Sequence, residues 1–563
     1  RILERERDQF ILEREKEAFF EDKLDVYERV VNVLLGLYDR ERDPKYLAQA
    51  FHYAERAKAQ GFLQSMPQGQ LLKYLKKTSQ AYTDWNAGYE QEQNEIYQQL
   101  LSERAQLEAM IDRKDDATKI KDQKNRIATL ERERLDKSET AQLRFLNTIR
   151  ERIPGLANLY EPKILDARGV QQRLGAQEIL IDYHMQQENT VAFIIGKERI
   201  ECVRMPFGRD QREELMKIIR QVNRTAGGDP ETEADPFAKL HTLYEQVFAP
   251  VTPYLEPAHE LIMVRDDVLH YLPFGMLVPE TKGDRPQFLI ERYPISYVDS
   301  ANLLDAALGA ERQPRGRLGL ELLALGHPDF GGKLPPLPYT EGEVEKIRSH
   351  FKRALVRTGP AATEAAFKAE AGRARLLHLA THGRLDAETI WHSKIEFALA
   401  PAIDQHGEDG HLYTYEIFNL DLVADLVVLS ACQSGLGKLR PGEGLVGMSR
   451  AFLYAGAPSL VATLWSIPDR ATAELMGKFY GYLRQGMNKR RALQRAQTDL
   501  IQDGYTDPFY WAAFILIGDS RPIKITEASS PSLPIAATLP IALLLLLASA
   551  ILLRKITTKR ARH

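Results

Sequence analysis

Cysteine is scarce. The 563 residues hold two, Cys202 and Cys432, so no disulfide framework staples the chain and each thiol has to be judged singly. No Cys/His group has the spacing of a zinc site, and no metal is called for. Neither sign of charge dominates: 75 Lys and Arg face 78 Asp and Glu, a formal charge of −3, which gives no electrostatic argument for nucleic acid. A G-x-x-x-x-G-K-[ST] phosphate cradle is missing too, so energy dependence is not implied and no cofactor is expected. The sequence opens at Arg1 without a methionine and is read as a fragment or a processed form.

Long hydrophobic runs are also missing, with one exception near the C-terminus. Ile535 to Leu553 is nineteen residues without a charge, "IAATLPIALLLLLASAILL". At helical rise that length approaches the ~30 Å of a bilayer core, so a transmembrane helix over 535–553 is expected, with Pro540 tolerated near its start. A core helix of the same composition is the alternative. Five basic residues between Arg554 and Arg562 form a tail, 554–563. By the positive-inside rule they favour a cytoplasmic C-terminus, with the large domains on the other side of the membrane.

What is abundant is helix. From Arg1 to about residue 70, "VYERVVNVLLGLY" and "PKYLAQAFHYAERAKAQGFLQSM" carry small and aromatic residues at Ala50, Tyr53, Ala54 and Ala57, three and four apart, which predicts a closely packed helix pair. It looks like the last tetratricopeptide-type pair of an array, or an ordinary helical hairpin. Residues 87–150 are highly charged, with apolar positions at Ile96, Leu100, Leu107 and Met110 and again at Ile120, Ile127 and Leu130. The gap between the two runs predicts an antiparallel helical hairpin or coiled coil acting as a spacer or interaction arm.

After Pro154-Gly155 the texture changes. "EILIDYH", "TVAFIIG" and "RIECVRM" are short β-rich runs, the last two split by Gly196-Lys197-Glu198 as in a hairpin. Apolar runs follow at Leu261–Val264, Leu322–Leu325, Leu376–Ala380, Leu426–Leu429 and Ser459–Leu464, with helical stretches such as 212–222 and 340–351 between them. Buried strands alternating with helices predict an α/β sandwich around a mostly parallel sheet over 154–520. Residues 521–534 read as a polar linker.

Two of those runs end in chemistry. "LLHLATHGRLD" stops at His382-Gly383, and "LVVLSACQSGLGK" stops at Cys432. In an α/β sheet ligands sit beyond the carboxyl ends of the strands, so two strands can bring His382 and Cys432 to one edge. The His comes first by fifty residues, and "SACQSG" is similar to the caspase signature Q-A-C-[RQG]-G, whose His lies ~50 residues upstream.

The resemblance is wider. "LHLATHG", "VVLSACQSGLGK", "GEGLVGMSRAFLYAGAPSLVATLWSIPDRATAELMGKFYGYL" and "YWAAFILIGD", with the earlier "LIMVRDDVLHYLPFGML", "YPISYVDSANLL" and "LALGHPDF", together resemble the CHAT peptidase domain, a relative of caspases and separases that commonly follows tetratricopeptide repeats. The resemblance covers roughly Pro154 to Ser520. It implies a caspase-like α/β sandwich with a non-catalytic half, 154–305, and a catalytic half, 320–520. It further implies a cysteine endopeptidase acting on protein substrates.

Chemistry assigns the roles. Cys432 would be the nucleophile, His382 its base and later the acid. The backbone N–H groups of Gly383 and Cys432 are the natural oxyanion donors, and Gly435 and Gly437 let the chain turn after the nucleophile. "LWSIPDR" is similar to the separase phrase whose aspartate lines the pocket before the scissile bond. Asp469 takes that place and favours Arg or Lys, unless it caps the helix that starts near Arg470. His378 sits in β-like texture and suits no helical metal motif. His392, Asp386 and Glu443 are unranked, and Cys202 reads as structural. The expected partners are a protein substrate, a protein regulator bound by the N-terminal helices, and the membrane through the C-terminal helix. A non-proteolytic scaffold with the same fold is the alternative, and acyl transfer to something other than water would use the same dyad.

Overall fold

Runs such as "ELIMV" and "LVVL" lack polar alternation because the strands they form are buried on both faces, the mark of a parallel sheet under helices. The computed structural model describes residues 13–65, scattered helical positions between 102 and 129, and residues 164–224, 236–280, 285–304, 319–384, 393–399, 410–417, 420–430, 432–433, 448, 451–453 and 455–523. All elements below belong to the unit Arg1–Pro522; of the second unit, Ile523–His563, only Ile523 is described.

Among the described residues the main sheet has eleven strands: β1 (Glu178–Met185), β2 (Thr190–Ile195), β3 (Ile200–Met205), β4 (Glu260–Val264), β5 (Ile295–Val298), β6 (Leu320–Pro328), β7 (Ala354–Gly359), β8 (Ala374–Ala380), β12 (Leu426–Leu429), β14 (Ser459–Thr463) and β15 (Phe514–Gly518). Four short strands make a second sheet: β9 (His382–Arg384), β10 (Lys394–Glu396), β11 (His411–Tyr413) and β13 (Cys432–Gln433). The main order is β3-β2-β1-β4-β5-β15-β14-β12-β8-β6-β7. β1, β4 and β5 run parallel, and β2 and β3 are the expected hairpin. On the other side β14, β12, β8, β6 and β7 run parallel. Between these halves lies β15, parallel to β5 and antiparallel to β14.

Helices cover both faces. α1 (Glu13–Glu41) and α2 (Pro44–Ser65) pack together, and Val31, Leu35, Ala50, Phe51 and Ala54 share one core with α3 (Ala167–Arg173) and with Leu180, Phe193, Ile262 and Val298 of the sheet. The N-terminal helix pair is thus a layer of the sandwich. α4 (Arg212–Arg224) and α5 (Pro236–Val247) follow the hairpin in sequence. In the second half α7 (Glu364–Ala371) shares a core with Leu377, Leu379, Val427 and Leu429, while α6 (Tyr339–Arg348) packs against α8 (Asp469–Arg484), which is followed by α9 (Lys489–Gln502). Within the charged stretch, buried Gln123 donates its side-chain amide to the Glu103 carbonyl at 2.9 Å. Positions twenty residues apart in one straight helix would lie about 30 Å apart, so these two do not belong to one straight helix.

Two buried charge clusters tie the layers together. The Arg490 guanidinium of α9 donates to Ser296 Oγ (2.9 Å), Glu260 Oε2 (2.9 Å) and Glu178 Oε1 (3.0 Å), joining the second half to β5, β4 and β1. Lys58 of α2 pairs with Asp182 of β1 and lies 3.4 Å from Glu55, whose other oxygen accepts from Ser300 Oγ (2.6 Å) and Asn302 Nδ2 (3.1 Å). Burial alone would lower the Lys58 ammonium, but Asp182 and Glu55 outweigh it and hold it above its ordinary value.

The expected transmembrane helix is corrected. Among the described residues no helix is long and apolar enough to cross a membrane. The two longest, α1 at 29 and α2 at 22 residues, have the length but carry charge along it, and the other helices are shorter. The stretch 535–553, with the linker 524–534 and the basic tail, lies outside the described residues. The single-pass membrane localisation and the membrane partnership that rested on that stretch are withdrawn.

Replacing Lys58 by Met leaves Asp182 and Glu55 buried without their cation. Removing one member of a buried pair costs about 3–5 kcal/mol, so urea unfolding of Lys58→Met is expected to show a loss of that size. A loss near zero would mean that the cluster is not closed in solution.

Candidate active site

β8 and β12 lie side by side in parallel register, from Leu376 opposite Leu426 to Leu379 opposite Leu429. Past the carboxyl edge each chain enters the small sheet, one through Thr381 into β9, the other through Ser430 into β13. There the pairing resumes, with His382 opposite Cys432 and Gly383 opposite Gln433. Leu376 to Leu426 and His382 to Cys432 are both offsets of fifty residues, so the spacing seen in the sequence is the strand register itself. It places the two backbones at neighbouring-strand distance, about 5 Å.

His382 is half-buried, its ring 5.1 Å from that of Phe330. Its Nε2 lies 2.8 Å from the carbonyl oxygen of Pro335. A carbonyl only accepts, so Nε2 carries the proton and Nδ1 keeps the lone pair. The loop that supplies Pro335 is braced. The His327 N–H donates to Thr340 Oγ1 (2.7 Å), that hydroxyl donates to the Leu337 carbonyl (2.7 Å), and the Gly331 N–H donates to Asp329 Oδ1 (2.9 Å). Gly326, near the end of β6, has to lack a side chain, since a Cβ would stand 2.8 Å from the Thr340 carbonyl oxygen. A main-chain acceptor has no signature in sequence, and reasoning from sequence missed Pro335.

Beside the pair lies a cleft lined by Thr381, the residue before His382, by Ser430, two before Cys432, and by Trp465, Glu343 of α6 and Asp469 of α8. Asp469 opens α8 but does not cap it: Pro468 is the capping position, and no side-chain cap bond is made there. Its carboxyl is pushed above the usual aspartate range by burial and by Glu343, against an opposing pull from His382. The structure therefore groups Asp469, Glu343 and His382 at one edge.

Other candidates separate. Gly383 is buried, facing Gln433 across the ladder. His378, wholly buried in β8, faces α6 and α8: its Nδ1 lies 3.2 Å from Tyr480 OH and its Nε2 3.1 Å from Glu343 Oε1. Cys202 sits on β3, and burial pushes its thiol up to about 11, far from a reactive thiolate. Asp386, His392, Gly435, Gly437 and Glu443 lie outside the described residues. Among the described residues no group of three His, Cys, Asp or Glu is placed to hold a metal ion.

The CHAT domain family matches residues 238–519. Human tetratricopeptide repeat protein 28 is 25% identical over 354 residues, covering 52% of this chain and 14% of its own length. The mouse protein of the same name is 24% identical over 349 residues, with the same coverage. The chain thus spans about a seventh of the length of these relatives. Among solved structures, the Saccharomyces cerevisiae separase–securin complex is similar with a TM-score of 0.40 and 12% identity, over 67% of this chain and 33% of that one.

A carboxyl whose folded pKa is raised makes the fold less stable once ionised. The penalty is absent below about pH 4, where the folded and unfolded forms are both protonated, and it grows as pH rises through the folded value. Asp469→Asn is therefore expected to melt above the parent protein at pH 7 and together with it near the acid end. Thermal melts across pH check this, and a variant that melts lower at pH 7 would contradict it.

Proposed function

The chain belongs to the CHAT domain family, and from that premise we propose that it is a cysteine endopeptidase with His382 and Cys432 as its catalytic dyad. The observation that carries this reading is the in-register pairing of the two at the carboxyl edge of adjacent strands. A thiol with pKa about 8.5 is mostly protonated at neutral pH and needs a base. With Nε2–H held by Pro335, His382 offers Nδ1 to take that proton. The Cys432 sulfur then attacks the peptide carbonyl carbon, and the oxygen takes up the displaced electron pair as an oxyanion. Its donors are the Gly383 and Cys432 N–H groups.

Collapse of the adduct breaks the C–N bond, and His382 returns the proton to the departing amine. A water gives up a proton to the same nitrogen, attacks the thioester and releases the acid, and the proton goes back to sulfur. Asp469, on the wall of the neighbouring cleft, selects a basic residue before the scissile bond. α1 and α2 receive a protein regulator. Val26 and Val33 support this, being exposed at 41% and 62% and placed seven residues apart on α1.

The full chain, incubated with a proteome-derived peptide library and read by mass spectrometry, is expected to yield cleavages clustered after Arg or Lys. Cys432→Ala is expected to abolish them, His382→Ala to slow them by ~10²–10⁴-fold, and Cys202→Ser to leave them unchanged. Cleavage that survives in Cys432→Ala would refute the dyad. No cysteine-dependent cleavage would favour a membership of the family that is scaffold rather than enzyme.

A further inference from the structure

Asp469 lines the cleft beside the dyad, but its neighbours in the chain line a second hollow. This is a cavity of about 390 Å³ bounded by Pro468, Arg470 and Ala471 at the start of α8, and by Tyr505, Asp507 and Tyr510 of the loop that follows α9. Its walls are aromatic and held in place. The rings of Tyr505 and Tyr510 stand 5.4 Å apart at 64°, and Phe509 lies 5.3 Å from Tyr510. Arg470 Nε donates to Glu474 Oε1 (3.1 Å), and the Tyr505 hydroxyl bonds to the same carboxylate. The Asp507 carboxylate accepts the Phe509 N–H (2.9 Å), and burial holds it above the usual aspartate range, so it braces the loop. Trp465, whose ring lines the first cleft, donates its indole N–H to the Phe509 carbonyl (3.0 Å). One support therefore fixes both hollows.

We propose that this cavity is a second substrate subsite, which takes an aromatic side chain of the protein substrate at a fixed distance from the scissile bond. The inference rests on the peptidase reading above and adds a recognised side chain to it. The room is sufficient: a cavity of about 150 Å³ already holds a benzene ring. A third ring can meet Tyr505 and Tyr510 edge to face, the arrangement their own pairing shows, and Arg470 offers its guanidinium to the face of that ring. Only Pro468, Asp469 and Arg470 separate the cavity from the first cleft. An extended chain advances ~3.3 Å per residue, so a peptide lying across that segment reaches the cavity within about four residues of the bond it presents to Cys432.

The test separates the subsite from the chemistry. The full-length parent and its variants are titrated with N-acetyl-para-fluorophenylalanine amide, a single aromatic side chain between two amides, and its fluorine NMR line is followed. The parent and Cys432→Ala are expected to broaden the line alike, and Tyr510→Ala to bind about tenfold more weakly or worse. In the peptide library, the sites cut by the parent are expected to carry Phe, Tyr or Trp at one fixed position. Matched peptides with Phe or Ala there are expected to differ about tenfold in kcat/KM. Tyr510→Ala brings that ratio close to one, and Tyr510→Phe, which keeps the ring, restores it.

A ratio unchanged in a natively melting Tyr510→Ala overturns the proposal, as does a parent that leaves the fluorine line sharp. Should Tyr510→Ala fail to fold, Thr506→Trp, which lays a ring into the cavity from its own lining, takes its place. Its ratio is expected to fall, and an unchanged ratio overturns the proposal. Probe binding lost in the variant, without any Cys432-dependent cleavage, leaves the cavity standing and removes the peptidase. Cysteine-dependent cleavage with no aromatic preference at any fixed position does the reverse.

Discussion

The parallel pairing of β8 with β12 is the constraint on which the site depends. Val427 opposite Leu377 and Val428 opposite His378 set a register that the two chains keep after leaving the main sheet. His382 and Cys432 meet because nothing is inserted or lost in either crossing. Side chains alternate across a strand, so a slip of one residue would move one partner to the opposite face and separate the pair. The apolar contacts that fix the register, Leu377, Leu379, Val427 and Leu429, lie in a core with α7. Packing well away from the sulfur therefore decides whether the two residues stand together.

The other half of the sheet is a platform built from the same rules and tied on by charge. Arg490 and Lys58 are both buried and both answered by carboxylates from distant strands. Such pairs add little net stability over apolar packing, but they tolerate only one arrangement of the layers. Lys58 makes the N-terminal helices part of that arrangement. Lys58 links α2 to β1, whose neighbour β4 accepts from Arg490 of α9, the helix that follows α8 in sequence.

Much of this was legible because long apolar runs have one physical meaning. β1, β4, β8, β12 and β14 could be read directly, and so could the alternation that makes the fold α/β. The small sheet could not: β9, β10, β11 and β13 are two or three residues long, too short to carry a period. Asp469 had two readings, cap or pocket, and Pro468 takes the capping position at the start of α8, which removes the first. Glu343 was missed although a signal existed. Thr340, Val344 and Ile347 mark the buried face of α6, and Glu343 falls on it, an acid in an apolar stripe. The C-terminal run, the strongest hydropathy signal of all, lies outside the described residues.

β15 has a consequence for how the protein comes into being. It is the last of the described strands in sequence, yet it lies at the middle of the sheet, with Ile517 against Tyr297 of β5 and five residue pairs along β14. Until Phe514–Gly518 has left the ribosome, the growing chain holds two separate sheets, each with an open edge. Domains assemble as units during synthesis, and open strand edges invite foreign pairing. Each half-sheet is thus open to mispairing until this strand emerges and closes the gap between them.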